Sequence, residues 1–369
     1  MAGSLFNDTM TRTEIEVAGL RATVIHDPLP ADGSALADDI VVGPGGASHS
    51  LLRLTPRTHF RRAWDLGCGS GVQSVIAAQH CDRVVATDID ERCLEFTRQS
   101  AQASGVHVET RLGSLAVPVA GETFDLIISN PPFVIGNATE LVHRESPREA
   151  DALTAELLQT LPIHLVDGGL AIMLTAWLVT EHQNWQERIE EWLPAECDVW
   201  VGLRSTQPVT DYVETWLADA GRAVDTETAA EWESRLRGWG ATEVAFGFIV
   251  LRKTTHVGWV RCEDLRLAGA LPSGDQVLER LEAADRSEQL TAVDIMMGTF
   301  AQASSQPWRG EVSLEPVLLA LRDRLNGEQS IDEICDSIAR DWSIDADDVL
   351  VHALAGMKAL VDLGLATQA

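Results

Sequence analysis

Positive charge is what this chain most lacks. It carries 28 Lys and Arg against 56 Asp and Glu, a formal net charge of −28. Affinity for nucleic acid comes largely from Lys and Arg on phosphates, and a strongly negative field repels RNA and anionic membranes. A local basic cleft is compatible with that total, so the deficit argues against a nucleic-acid substrate without excluding one. Cysteines are few as well: six, at positions 68, 81, 93, 197, 262 and 335, with no Cys-x-x-Cys pair. Such scatter excludes a zinc ribbon or a disulfide frame and reads as reduced, buried thiols in a cytoplasmic protein with no bound metal. No apolar run reaches the roughly 20 residues that cross a bilayer, so no membrane partner is expected. The N-terminus has neither the basic start nor the apolar core of a signal peptide.

What is present begins at Phe124-Asp125-Leu126-Ile127-Ile128-Ser129, an apolar run of the kind buried inside a parallel sheet. It runs into Asn130-Pro131-Pro132-Phe133. Neither proline has an N–H to donate, so the ladder must stop and the chain must leave the sheet abruptly. Asn130 then lies at the carboxyl end of a strand, where open α/β sheets bind ligands. The Asn130 side-chain oxygen and the Pro131 carbonyl are acceptors that together hold both hydrogens of a planar amino group. Phe133 offers a ring to stack on the remainder of that group. Upstream, Trp64-Asp65-Leu66-Gly67-Cys68-Gly69-Ser70-Gly71 turns from strand to helix, with glycines that let the backbone approach a ligand. A second apolar strand, Val84 to Thr87, ends in Asp88, placed to accept both hydroxyls of a ribose.

The acid followed by Gly-x-Gly-x-Gly resembles the first motif of class I S-adenosylmethionine-dependent methyltransferases. The Asn130-Pro131-Pro132-Phe133 tetrad resembles the fourth motif of the amino methyltransferases. That group includes release-factor glutamine, ribosomal-RNA guanine N2 and DNA adenine methyltransferases. The resemblance covers about residues 63–176, less securely to 252, and implies S-adenosylmethionine as cofactor. It implies that Asp65, Gly67, Gly69 and Gly71 line the methionine end and that Asp88 holds the ribose. Ile89 would pack on the adenine, with Ser114 near its amino group. Asn130 and Pro131 would hold the substrate nitrogen and Phe133 would stack on it. Two departures stand out. No helical substrate-binding domain precedes the first motif, and Ser114 stands where relatives commonly carry an acid. The expected activity is N-methylation of a planar amide or amino nitrogen, on protein glutamine or a small molecule. The alternatives are a nucleobase in ribosomal RNA and a non-catalytic cofactor-binding scaffold. His143 and Glu145, just past the tetrad, read as a solvated loop.

Strand and amphipathic helix alternate through the centre of the chain, the signature of a parallel sheet. The expected fold is α/β: a doubly wound, mostly parallel, seven-stranded sheet of Rossmann-like methyltransferase type. A small, helical, winged-helix-like C-terminal domain follows. Residues 1–62 read as a hairpin and a cofactor-covering segment, 63–255 as the methyltransferase domain, and 272–369 as the helical domain. An insertion at 206–240 is either a substrate lid or a packed appendage. In the helical domain Asp341, Asp345, Asp347 and Asp348 crowd the region a DNA reader would need basic, so it reads as a protein-docking or stabilising module.

Overall fold

The computed structural model describes residues 10–29, 39–136, 148–219, 226–303 and 314–369. The chain divides into two compact units, Met1–Arg266 and Leu267–Ala369. The first opens with a hairpin of β1 (Thr11–Val17) and β2 (Leu20–His26). Ala18 and Gly19 both take positive φ at its turn, which matches the twist of the paired strands. Helix α1 (Gly46–Leu54) leads into β3 (Phe60–Leu66), α2 (Val72–Ala77), β4 (Cys81–Asp88), α3 (Glu91–Ser104) and β5 (Glu109–Leu112). There follow β6 (Phe124–Ser129), α4 (Ala152–Thr160), β7 (Leu165–Thr180), α5 (Trp185–Glu190) and β8 (Cys197–Pro208). The unit ends with α6 (Val209–Asp219), α7 (Thr226–Gly238), β9 (Ala241–Lys253) and β10 (Val260–Asp264).

One doubly wound sheet organises these elements, with the order β10-β8-β9-β7-β6-β3-β4-β5. Only β9 runs antiparallel to its neighbours. The sheet has eight strands, not the expected seven. The extra one, β10, pairs in parallel with the outer side of β8. Its sequence, Val260-Arg261-Cys262-Glu263-Asp264, carries three charges in five residues, which suits an edge and hides it from an apolar-run reading. The strand after α3, β5, is short. Its ladder begins at Glu109, while Val106 and Val108 pack against an apolar cluster shared by the N-terminal hairpin and the helices α1, α2 and α3.

Trp64, Phe124, Ile127, Met173 and Trp177 lie at the centre of the sheet's largest apolar cluster, all fully buried. Each such side chain stabilises the fold by about 1.5–3 kcal/mol through loss of water contact. From β3 the chain steps first to β4 on one side and later to β6 on the other. The carboxyl ends of β3, β4 and β6 therefore surround the point where the strand order reverses, the usual ligand crevice of an open sheet. Helix α3 is bounded as its sequence suggests. The Asp90 side chain caps its start through Arg92 N–H at 2.8 Å, and Gly105 closes it with φ 67°.

The second unit packs α8 (Gly274–Gln289), α9 (Ala292–Met297), α10 (Pro316–Arg324), α11 (Ile331–Trp342) and α12 (Ala346–Asp362) around an apolar core. A small antiparallel sheet joins β11 (Thr299–Gln302), β12 (Asn326–Ser330) and β13 (Ala366–Gln368). These strands are three to five residues long, too short to register beside the helical periodicity around them. The capping box of Ser330 and Glu333 starts α11. Arg280, fully buried on α8, is neutralised by Asp362 at 2.9 Å, as a charge removed from water requires.

Candidate active site

Strand β3 delivers Asp65, a carboxyl 2 % exposed in an otherwise apolar run. The chain then reverses through Gly67, Gly69 and Gly71, with φ of 73°, 54° and 82°, values that disfavour a side chain. Gly67 and Cys68 donate to the Thr87 carbonyl at the tip of β4, at 2.9 and 3.0 Å. Gly69 donates to the Asp88 carboxylate at 3.0 Å. Gly71 lies behind the loop, where a Cβ would stand 3.0 Å from the Thr97 backbone. The loop is thus tied on one side to β4 and on the other to α3.

These strand ends enclose a cavity of about 230 Å³. Its lining includes Asp65, Gly67, Gly69, Asp88, Ile89, Ser114, Asn130 and Pro131. Eight of the ten residues singled out from the sequence therefore meet in one place. Gly71 and Phe133 do not line it. Ile89 is 56 % exposed despite its apolar side chain, an open flat face on the cavity. Asn130 has a buried Oδ1 with no donor among the described residues, an acceptor they leave unused. Phe133 is half-buried, its ring edge-on to Trp216 and Phe246 at 6.2 and 6.4 Å. His143 and Glu145 lie outside the described residues. Among the described residues no cluster of His, Cys, Asp and Glu can hold a metal.

Burial dominates the electrostatics. It pushes the Asp65 carboxyl up to about 7, against a smaller downward pull from the Ser74 hydroxyl that donates to it. Burial also raises Asp88, while the Gly69 and Asp90 N–H groups oppose the shift. Both Asp88 oxygens are engaged, one by Gly69 and one by Asp90 at 3.1 Å, so Asp88 braces the glycine loop as well as facing the cavity. The Cys68 thiol lines the same wall but is held well above its ordinary range by burial and by Asp65 and Asp88. It is no nucleophile at neutral pH.

Several lining groups escape sequence reasoning. Residues 39–43 form part of one wall, inside the stretch expected to cover the cofactor but with no residue there marked individually. Arg92 holds this stretch by bridging Asp27 at 3.0 Å and Asp39 at 2.7 Å. Ser70 donates to the Val42 carbonyl at 2.9 Å. Nothing local in the sequence marks Arg92 for this. Gln73 on α2 is also in the lining, and there a signal exists: it is a long polar side chain in a short helix buried throughout.

The 206–240 insertion supplies α6 and α7, whose aromatic residues pack together. Tyr212, Trp232 and Leu236 are buried in one cluster with Val134 and Ile135, and Trp216 and Trp239 lie against it. Tyr212, the chain's one tyrosine, accepts from Ile135 N–H at 2.7 Å and donates to its carbonyl at 3.3 Å. Trp232 donates to the same carbonyl at 3.0 Å. Tyr212 and Trp232 of the insertion thus fasten the chain two residues beyond the tetrad.

Residues 45–183 match the methyltransferase small domain family. The chain is similar to the release factor glutamine methyltransferase of Xylella fastidiosa, 36% identical over 143 residues, covering 34% of this chain and 48% of that protein. It is also similar to ribosomal RNA small subunit methyltransferase C of Escherichia coli, 39% identical over 130 residues and 35% of either chain. A solved T. thermophilus 16S rRNA N2 methyltransferase in complex with AdoMet and guanosine shares 15% identity, covering 67% of this chain and 51% of that one, with a TM-score of 0.39. The chain spans about half the length, or less, of the curated relatives it matches.

Proposed function

We propose, from the match of residues 45–183 to the methyltransferase small domain and from the site, that the chain is an S-adenosylmethionine-dependent N-methyltransferase acting on a planar amide or amino nitrogen. The observation that carries this is Asn130, whose Oδ1 has no donor among the described residues at the edge of a cavity built from the strand ends. The cavity suits the cofactor on its own evidence. Asp65 calls for a cation, Asp88 offers charge-assisted acceptors to hydroxyls, and Ile89 offers a platform to a flat ring. Gly67 and Gly69 keep the backbone close, with Gly71 behind them, and Ser114 would meet the adenine end. S-adenosylmethionine, when bound there, supplies an electrophilic methyl group.

The chain's own contribution is orientation. The lone pair of an amide or aromatic amine is delocalised, so the nitrogen is a poor nucleophile. Asn130 Oδ1 and the Pro131 carbonyl, accepting its two hydrogens, favour a pyramidal nitrogen and fix its direction of approach. A proton can depart to water after transfer, so no dedicated base is needed. Phe133 completes the tetrad as the stacking surface. Because it stands outside the cavity lining, stacking requires an acceptor that reaches past Pro132.

For the acceptor we favour a protein glutamine or a small molecule over a nucleobase. Release factor and ribosomal RNA enzymes both appear among the relatives, so the decision rests on charge. The two basic clusters, residues 57–62 and Arg252-Lys253, lie toward the amino edge of the sheet. Arg62 meets Asp125, and Arg252 is level with Leu126. Asp125 is four residues before Ser129 on β6, about 13 Å along the strand. Arg61, Arg62 and Arg252 are also ion-paired, with Asp125, Glu122 and Asp198. Neither cluster offers phosphate contacts beside Asn130. The helical unit, with Asp347 and Asp348 opening α12, is assigned to docking a protein. Radiolabelled cofactor, incubated with the protein and with fractions from cells lacking it, is expected to label a protein or small molecule. Stoichiometric labelling of one ribosomal RNA nucleotide would overturn that preference.

A pH dependence follows from Asp65. Its carboxyl holds a proton below about 7, and a ligand ammonium meeting it must expel that proton. Binding of S-adenosylhomocysteine should therefore be about tenfold weaker at pH 6 than at pH 8. The profile should flatten in Asp65→Asn. A titration series with the same slope in both proteins would dissociate Asp65 from the ligand.

A further inference from the structure

Helix α2 is buried along its whole length, and only two of its six residues are polar, Gln73 and Ser74. Ser74 is accounted for by its hydrogen bond to Asp65. Gln73 is accounted for only in part. It is 6 % exposed and lines the cavity. Its Nε2 donates to the Ser48 carbonyl on α1 at 3.0 Å. A carbonyl can only accept, so the amide nitrogen must face Ser48, and this fixes Oε1 as the opposite end. Oε1 is buried and meets no donor among the described residues, a state that buried polar atoms rarely keep without a reason.

The same lining carries the buried Asp65 carboxyl. Among the described residues the only cation in the lining is Arg148, which is engaged by Glu156 at 2.8 Å. Two buried acceptors thus share one wall of the cavity. We infer that Gln73 Oε1, together with Asp65, receives the ammonium group of the cofactor's amino-acid end, while its Nε2 anchors α1. This rests on the cavity being the cofactor site and adds the residue that recognises one end of that ligand. It makes the site selective for nucleosides that carry an amino acid over those that do not.

Two ligands separate this role from a structural one. S-adenosylhomocysteine has the amino-acid end, and 5′-methylthioadenosine keeps the nucleoside and sulfur without it. Calorimetric titrations of both would compare the wild type with Gln73→Ala and with Gln73→Met, which preserves volume. Circular dichroism would confirm the fold of each variant. Both variants should lose about tenfold in affinity for S-adenosylhomocysteine and stay within about twofold for 5′-methylthioadenosine. Equal losses for the two ligands would make Gln73 only a strut under α1, and unchanged affinity for both would likewise overturn the inference. A wild type that binds neither ligand would instead remove the cofactor reading itself.

Discussion

Replacing Asn130 by alanine should reduce methyl transfer by at least about 100-fold, the usual loss when an orienting group at a reacting centre is removed. Cofactor affinity should stay within a few-fold. The division follows from what the side chain touches. Its Oδ1 is buried with no donor among the described residues, so among them truncation breaks no hydrogen bond of that atom and strands no former partner. Stability should accordingly change little, and the loss should fall on kcat with kcat/KM following it. Single-turnover kinetics against the identified acceptor, with calorimetry for cofactor binding, would measure both. Substantial residual turnover in Asn130→Ala would reduce the tetrad to a structural exit from β6.

Asp88→Ala should weaken cofactor binding by about 1.5–3 kcal/mol, or roughly 10- to 150-fold, through loss of charge-assisted hydrogen bonds. A second loss adds to it. The carboxylate accepts from Gly69 at 3.0 Å and Asp90 at 3.1 Å, and alanine leaves both N–H groups without that acceptor. Asp88→Asn keeps one oxygen for one of them and should fall between wild type and alanine. Calorimetric titration of the three proteins checks the order. Equal affinity in all three would place the ribose elsewhere and leave Asp88 as a brace for the loop alone.

The parts of the site legible in the sequence are those where chemistry conflicts with local structure. Asp65 stands inside a buried strand, Asn130 at a strand end that two prolines terminate, and glycines crowd a turn. Each conflict is visible within a few residues. The parts that were not legible depend on distant partners. Arg92 reaches Asp27 and Asp39, and Gln73 reaches Ser48, contacts that only the folded chain defines. The basic cluster at residues 57–62 shows a different failure. It adjoins the first motif in sequence, yet the seven residues of β3, about 20 Å of extended chain, carry the motif away to the other edge of the sheet. The fold was legible where strands are central and continuously apolar. It was not at β10, or in the small sheet of the second unit, where short strands carry polar side chains at edges.

The position of β9 bears on how the molecule is made. In the sheet β9 lies between β7 and β8, yet β8 precedes it in the chain. Once residue 180 has left the ribosome, β3 to β7 and every residue lining the cavity have been synthesised. β8 must wait, because its only neighbours are β9 and β10. At 5–20 residues per second, synthesis from Thr180 to Lys253 takes about 4–15 s. During that interval β7, sixteen residues long and largely buried in the finished protein, has one side unpaired and open to other chains. Tyr212 and Trp232 arrive within the same window. A nascent chain therefore has the residues to bind its small ligand before it can hold the tetrad in place, and its most aggregation-prone moment falls between those two events.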